Sequence, residues 1–257
     1  MTELSITSTL DGSSEKSLFD FPNGNTGVPL VVGLHTWSYN RFNQVEQMLP
    51  YCRERGWALL LPEFRGPNLV SNPRARLACA SAHARQDILD AVEKVTAEYP
   101  IDMDKIFLLG GSGGGHMALM MAALAPGMWK GVSAWVPITD LAAWHGENPD
   151  YAPHVAACCG GSPGSGPEAD REYRDRSPLT YVRGLASVNL SLHHGRFDPV
   201  VHYRHSWRLA RELEKQGAER FFFEIFDGGH DLHYERAFHW FDMLLVREEK
   251  MGKMLTG

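Results

Sequence analysis

Ser112 stands in the run Gly110-Gly111-Ser112-Gly113-Gly114-Gly115-His116, flanked by apolar residues on both sides. Two chemistries need small residues in such a place. A phosphate-binding loop requires Lys and then Ser or Thr after its glycines, but His116 and Met117 follow here, and the G-x-G-x-x-G of a dinucleotide site is only partly met. Gly110-Gly111-Ser112-Gly113-Gly114 instead fits G-x-S-x-G, in which a serine is presented on a sharp strand-to-helix turn with no room for bulky neighbours. The N–H of Gly113, opening the following helix, then faces the oxyanion that develops when Ser112 attacks a carbonyl. The plainer role for Ser112 is a helix N-cap.

A serine hydroxyl needs a base and an orienting acid. On a strand–turn–helix nucleophile they follow in the order Ser, acid, His. Asp198 comes after the apolar run LSLHHG, and His230 comes after FFFEIF, so both fall in loops at strand ends. Such loops converge on one crevice outside the carboxyl ends of a parallel sheet. Asp140, ending WVPITD, competes with Asp198 for the acid role, and His194 and His233 are the nearest rivals of His230. Twelve histidines raise the question of a metal, but no compact ligand motif such as HExxH is present, so neither a metal nor a cofactor is expected. Cys158 and Cys159 have no Cys-His constellation beside them and read as small thiols lining a pocket.

The elements that must position these groups alternate strand and helix, which predicts a largely parallel sheet covered on both faces. Residues 4–22 read as an antiparallel hairpin around Asp11-Gly12. Continuous apolar runs predict strands at 28–34, 57–62, 105–109, 131–136, 188–193 and 220–226. Helical periodicity marks 84–99, 203–216 and 233–247. Residues 141–186, rich in Gly and Pro, read as a long irregular insertion serving as a lid or binding loop within a single domain spanning 1–257. Trp37, Tyr39, Trp144 and Tyr151 are expected near the mouth of the crevice. There they serve either as loop packing or as a stacking wall for a sugar or aromatic acyl group.

Composition narrows the class further. A net charge of -6 and a pI near 6.0 argue against nucleic-acid or anionic-membrane partners. The N-terminus lacks a basic start followed by an apolar run, so a cytoplasmic protein with reduced cysteines is expected.

The ordered pieces PLVVGLH (29–35), Arg65-Gly66, IDMDKIFLLGGSGGGHMAL (101–119), RSPLTYV (176–182), HGRFDPVV (194–201) and GGHD (228–231) resemble the prolyl-oligopeptidase-like branch of the α/β-hydrolase family. That branch is close to dienelactone hydrolases and acetyl esterases. The resemblance implies Ser112 as nucleophile, Asp198 as acid, His230 as base, and an oxyanion hole made by the backbone N–H groups of Gly113 and Trp37. The sequence departs from the family in two places. Thr36-Trp37 stands where Gly-Gly, or Gly and then an aromatic residue, often follows the histidine, and Gly113 stands where the peptidases commonly carry tyrosine. The second departure suggests a roomier crevice. The family's large peptidases carry an N-terminal β-propeller, for which the stretch before Val28 leaves no room. Carboxylic esters, including acetyl or feruloyl esters of carbohydrates, are therefore the expected substrates. A small peptidase, and a non-catalytic ligand-binding protein of the same fold, are the alternatives.

Overall fold

The structure is a computed structural model that describes residues 1–24 and 26–255, with side chains described through Val246. Its sheet has eight strands in the order β1-β2-β4-β3-β5-β6-β7-β8. The strands are β1 (Thr2–Thr7), β2 (Ser14–Asp20), β3 (Val28–Leu34), β4 (Ala58–Pro62), β5 (Ile101–Gly111), β6 (Gly131–Trp135), β7 (Leu190–Gly195) and β8 (Phe221–Phe226). The hairpin β1–β2 is antiparallel and joins β4 antiparallel, and every pairing from β4 to β8 is parallel. This is an α/β-hydrolase architecture with the antiparallel N-terminal hairpin that the sequence predicts. The strand β5 is longer than its apolar segment. At its start the buried Ile101 pairs with Val28 of β3, whereas Asp102 to Lys105 are half-buried or exposed and fall where the register of the β3 ladder shifts.

Alternate residues of the central strands divide the core in two. Leu30, Val32, Leu60, Leu108, Ala134 and Leu192 face one side. There they meet α2 (Ala82–Glu98), α3 (Gly113–Leu124) and α8 (Arg204–Lys215). Val31, Leu59, Leu61, Phe107, Leu109 and Trp135 face the other, against α1 (Val45–Arg55) and α9 (Tyr234–Leu255). The helix α1 has no counterpart in the sequence reading because Pro50 lies inside it. Proline removes the N–H that would bond the Glu46 carbonyl, a penalty that normally ends a helix. Burial of Met48 and Cys52 against the sheet supports the helix regardless.

The insertion corrects the expectation of an irregular segment. It contains α4 (Leu141–Glu147), α5 (Ala152–Cys159), α6 (Pro167–Asp175) and α7 (Val182–Leu185). Pro153 and Pro167 occupy first-turn positions, where the missing N–H would have no intrahelical partner anyway, so they start helices instead of breaking them. Polar contacts pin the segment to the main body. Arg176 donates to the carbonyls of Arg76 (3.0 Å) and Ala78 (2.9 Å), and the Leu179 N–H donates to the Thr139 carbonyl (3.0 Å). Among the described residues, no helix is long and apolar enough to cross a membrane.

Candidate active site

Ser112 joins β5 to α3 with φ 55° and ψ -121°, a backbone conformation that a non-glycine residue rarely adopts. Holding it costs roughly 1–3 kcal/mol, so the surroundings must over-determine the turn. They do so from both sides. The Ser112 N–H donates to the Trp135 carbonyl (2.8 Å), and the Ser112 carbonyl accepts from the His116 N–H (2.9 Å). The flanking glycines are required by close approach. A Cβ at Gly110 would run into the Gly114 carbonyl, and one at Gly114 would come to 2.5 Å from the Leu34 carbonyl. The N-cap role is not the one observed, because the Ser112 side chain caps nothing.

Gly113 faces the loop after β3. A Cβ there would lie 2.6 Å from both the N and the Cα of Trp37. The Trp37 backbone therefore occupies the space that a side chain at position 113 would enter first. The Trp37 peptide is fixed by its neighbours. Its carbonyl accepts from the Asn68 N–H (2.8 Å), and the preceding Thr36 N–H and hydroxyl both donate to Asn43 Oδ1 (3.1 and 3.0 Å). Neither the Trp37 N–H nor the Gly113 N–H has a hydrogen-bond partner among the described residues. Two unpaired amides beside Ser112 are what an oxyanion requires. Asn43 and Asn68 are absent from the sequence reading, since neither stands in a motif and their roles exist only through the folded loop.

Asp198 and His230 meet across two loops. The Arg196 N–H donates to the Phe226 carbonyl and the Phe197 N–H to the Gly228 carbonyl (both 2.9 Å), tying the loop after β7 to the loop after β8. His230 Nδ1 then lies 2.7 Å from Asp198 Oδ2. A carboxylate only accepts, so Nδ1 carries the hydrogen and Nε2 is left as a basic lone pair. Asp198 Oδ1 accepts from the N–H groups of Val200 (2.8 Å) and Val201 (2.9 Å). Burial alone would raise the Asp198 carboxyl, but hydrogen bonds from His194, His230 and Val201 outweigh it and hold it well below the usual carboxylate range. No hydrogen bond joins the Ser112 hydroxyl to His230, a contact that commonly tightens only when substrate binds.

The rival residues go elsewhere. Asp140 caps α4 by accepting from the Ala143 N–H (3.1 Å). His233 precedes α9, packed against Trp135 and Phe226. His116, on α3, donates through Nε2 to the Arg176 carbonyl (2.7 Å), clamping the nucleophile helix to the insertion. Burial pushes its imidazole down to about 4. Cys158 and Cys159 are buried with Cys79 and Tyr173, and burial pushes the Cys159 thiol up to about 12, so it is not an activated nucleophile.

The aromatic residues divide. Tyr39 is exposed. Trp144 is only 1% exposed, and its indole N–H donates to the Val200 carbonyl (2.9 Å), so it has no free face for a sugar. It packs against Trp37 and Tyr151 at centroid distances of 4.7 and 4.9 Å, which makes the trio an apolar plug next to the oxyanion loop. Among the described residues, no three His, Cys, Asp or Glu side chains converge as a metal set.

The prolyl oligopeptidase family model matches residues 43–246, which contain the elbow and both partner loops. The chain belongs to the prolyl oligopeptidase family. It has the α/β-hydrolase fold. It is 27% identical over 208 residues to the acylamino-acid-releasing enzyme of Rattus norvegicus, covering 75% of this chain and 27% of that protein. It is 24% identical over 182 residues to the inactive dipeptidyl peptidase 10 of Mus musculus, covering 71% of this chain and 21% of that protein. The solved acylaminoacyl peptidase of Pyrococcus horikoshii superposes with a TM-score of 0.71 at 18% identity, over 97% of this chain and 41% of that one. The chain thus spans well under half the length of these relatives.

Proposed function

We propose that this chain is a serine peptidase that cleaves aminoacyl amide bonds of short peptides through an acyl-enzyme on Ser112. The observation that carries the reading is the strained elbow at Ser112, with the unpaired Gly113 and Trp37 amides beside it and the Asp198–His230 pair at 2.7 Å. In the proposed cycle, His230 Nε2 takes the Ser112 proton as Oγ bonds to the carbonyl carbon, and the two amides receive the oxyanion. The same nitrogen then protonates the leaving amine, and water repeats the sequence to free the acid and regenerate Ser112. Asp198 holds the His230 tautomer and offsets the imidazolium charge.

Amide over ester is favoured by the relatives, which are named for peptide chemistry. The ester expectation rested on resemblance to esterases, and its sugar-stacking wall lost Trp144 to the core. Parallel panels of aminoacyl p-nitroanilides, N-acetyl-aminoacyl p-nitroanilides and acetyl or feruloyl esters separate the readings. Higher kcat/KM on the esters would reverse the preference. The kinship with an inactive relative makes a control essential. Fluorophosphonate should modify Ser112, and Ser112→Ala should abolish both labelling and turnover. A well-folded protein that is not labelled at Ser112 supports the non-catalytic alternative instead.

A further inference from the structure

Asp198 is held by a second histidine that the mechanism above does not use. His194, at the end of β7, is fully buried, and its Nε2 lies 3.3 Å from Asp198 Oδ2, the same oxygen that faces His230. That nitrogen is also 2.8 Å from the Val201 carbonyl. Both neighbours only accept, so Nε2 must carry the hydrogen and share it between them. On the far side, His194 Nδ1 is 2.7 Å from the hydroxyl of Ser206, which is buried on α8. With Nε2 protonated, Nδ1 is the acceptor and Ser206 donates. Every proton in the chain Ser206–His194–Asp198–His230 is then assigned by its partners.

We propose that His194, its tautomer fixed by the two acceptors at Nε2 and its ring held in place by the Ser206 hydroxyl at Nδ1, is a positioning residue that fixes the Asp198 carboxylate for His230. The inference rests on the triad reading of the previous section. The carboxylate needs such support because its Oδ1 is held by two backbone N–H groups on its own turn, whereas Oδ2 projects between loops. His194 stands on a central strand and Ser206 on a helix packed against the sheet, so the fixed core reaches the catalytic loop through them. The other ionisable groups around Asp198 are His230 itself and, across a cavity of about 440 Å³, Glu147, His202 and Arg204. Of those three, none is within hydrogen-bond distance of the carboxylate.

The test follows the rate at which diisopropyl fluorophosphate modifies Ser112 as a function of pH, which requires no knowledge of the natural substrate. Ser206→Ala removes the hydrogen bond that holds the His194 ring against Asp198. The less supported carboxylate then draws harder on His230, which holds its proton more tightly. The acidic midpoint of labelling should move up by about half a pH unit, and the plateau rate should fall by about three- to tenfold. Ser206→Thr keeps the hydroxyl and should restore both, and His194→Gln should exceed Ser206→Ala in both. A uniform drop with an unmoved midpoint in Ser206→Ala means that the pair is merely structural and overturns the proposal, as does a profile identical to wild type. If wild type itself is not labelled at Ser112, the triad reading fails first and this inference falls with it. Circular dichroism identifies a variant that has not folded, and should His194→Gln be one, the two Ser206 variants decide.

Discussion

Gly113→Ala tests the site most directly, because it adds one methyl at the closest point between the nucleophile helix and the oxyanion loop. The new Cβ would lie 2.6 Å from the Trp37 N and Cα. Both are backbone atoms, pinned through Asn43 and Asn68, so no flexible side chain can swing away. Restoring ordinary contact at 3.4 Å pushes the loop back by about 0.8 Å. An oxyanion donor works at 2.7–3.1 Å, and a misplacement near 1 Å costs on the order of 100-fold in rate, so kcat should fall by about that factor. KM should change little, since the amides act chiefly on the transition state. Replacing glycine by alanine within a helix favours folding by roughly 0.5–1 kcal/mol, which offsets part of the strain, so Tm should stay near wild type. Steady-state kinetics on the best p-nitroanilide, with calorimetry on the same samples, gives both numbers. Full activity in Gly113→Ala would refute the claim that the Trp37 amide is the second oxyanion donor. A collapse of Tm would show that the methyl acts on folding instead of catalysis.

Two further outcomes concern stability. Burial lowers His116 and His193 from 6.5 to about 4, so between those values the unfolded chain binds protons that the folded one does not, and stability falls as pH falls through that window. Each histidine should remove about 2 kcal/mol between pH 7 and pH 5. Urea unfolding at the two pH values measures this, and a His193→Gln variant whose pH slope equals that of wild type would contradict the assignment. Arg65, only 1% exposed, donates to Asp87 (2.6 and 2.9 Å) and holds the turn whose Phe64 ring stacks on His35 at 3.8 Å. Asp87→Ala leaves that buried guanidinium short of a partner and should destabilise by about 3 kcal/mol in denaturant titrations. A loss under about 1 kcal/mol would mean that the other partners of Arg65, Asp11 (2.7 Å), Ser8 (3.1 Å) and Glu15 (3.7 Å), suffice.

Much of this protein was readable along the chain because its signals are local. The runs and periods of apolar residues placed the six strands β3 to β8 within a few residues, as well as the β1–β2 hairpin, since burial on one or both faces dictates those patterns. The elbow was equally local, because the collision between positions 110 and 114 lies within one turn of chain. Signals that cancel locally were lost. Pro50 hid α1, and Pro153 and Pro167 made a set of helices look like loop, because proline reads as a breaker until its position within the helix is known.

The sequence by itself determined which chemical groups are present and at which strand ends they emerge: Ser112 after β5, Asp198 after β7 and His230 after β8. Only the tertiary structure decided how they are held. The Trp37 backbone fills the space beside Gly113, His116 reaches across to Arg176, Trp144 turns into the core, and His194 shares Asp198 with His230. The physical reason is one of range. Strand and turn propensities act over a few residues, whereas a hydrogen-bond partner or a van der Waals neighbour is assigned by whichever segment packing delivers, from anywhere in the chain.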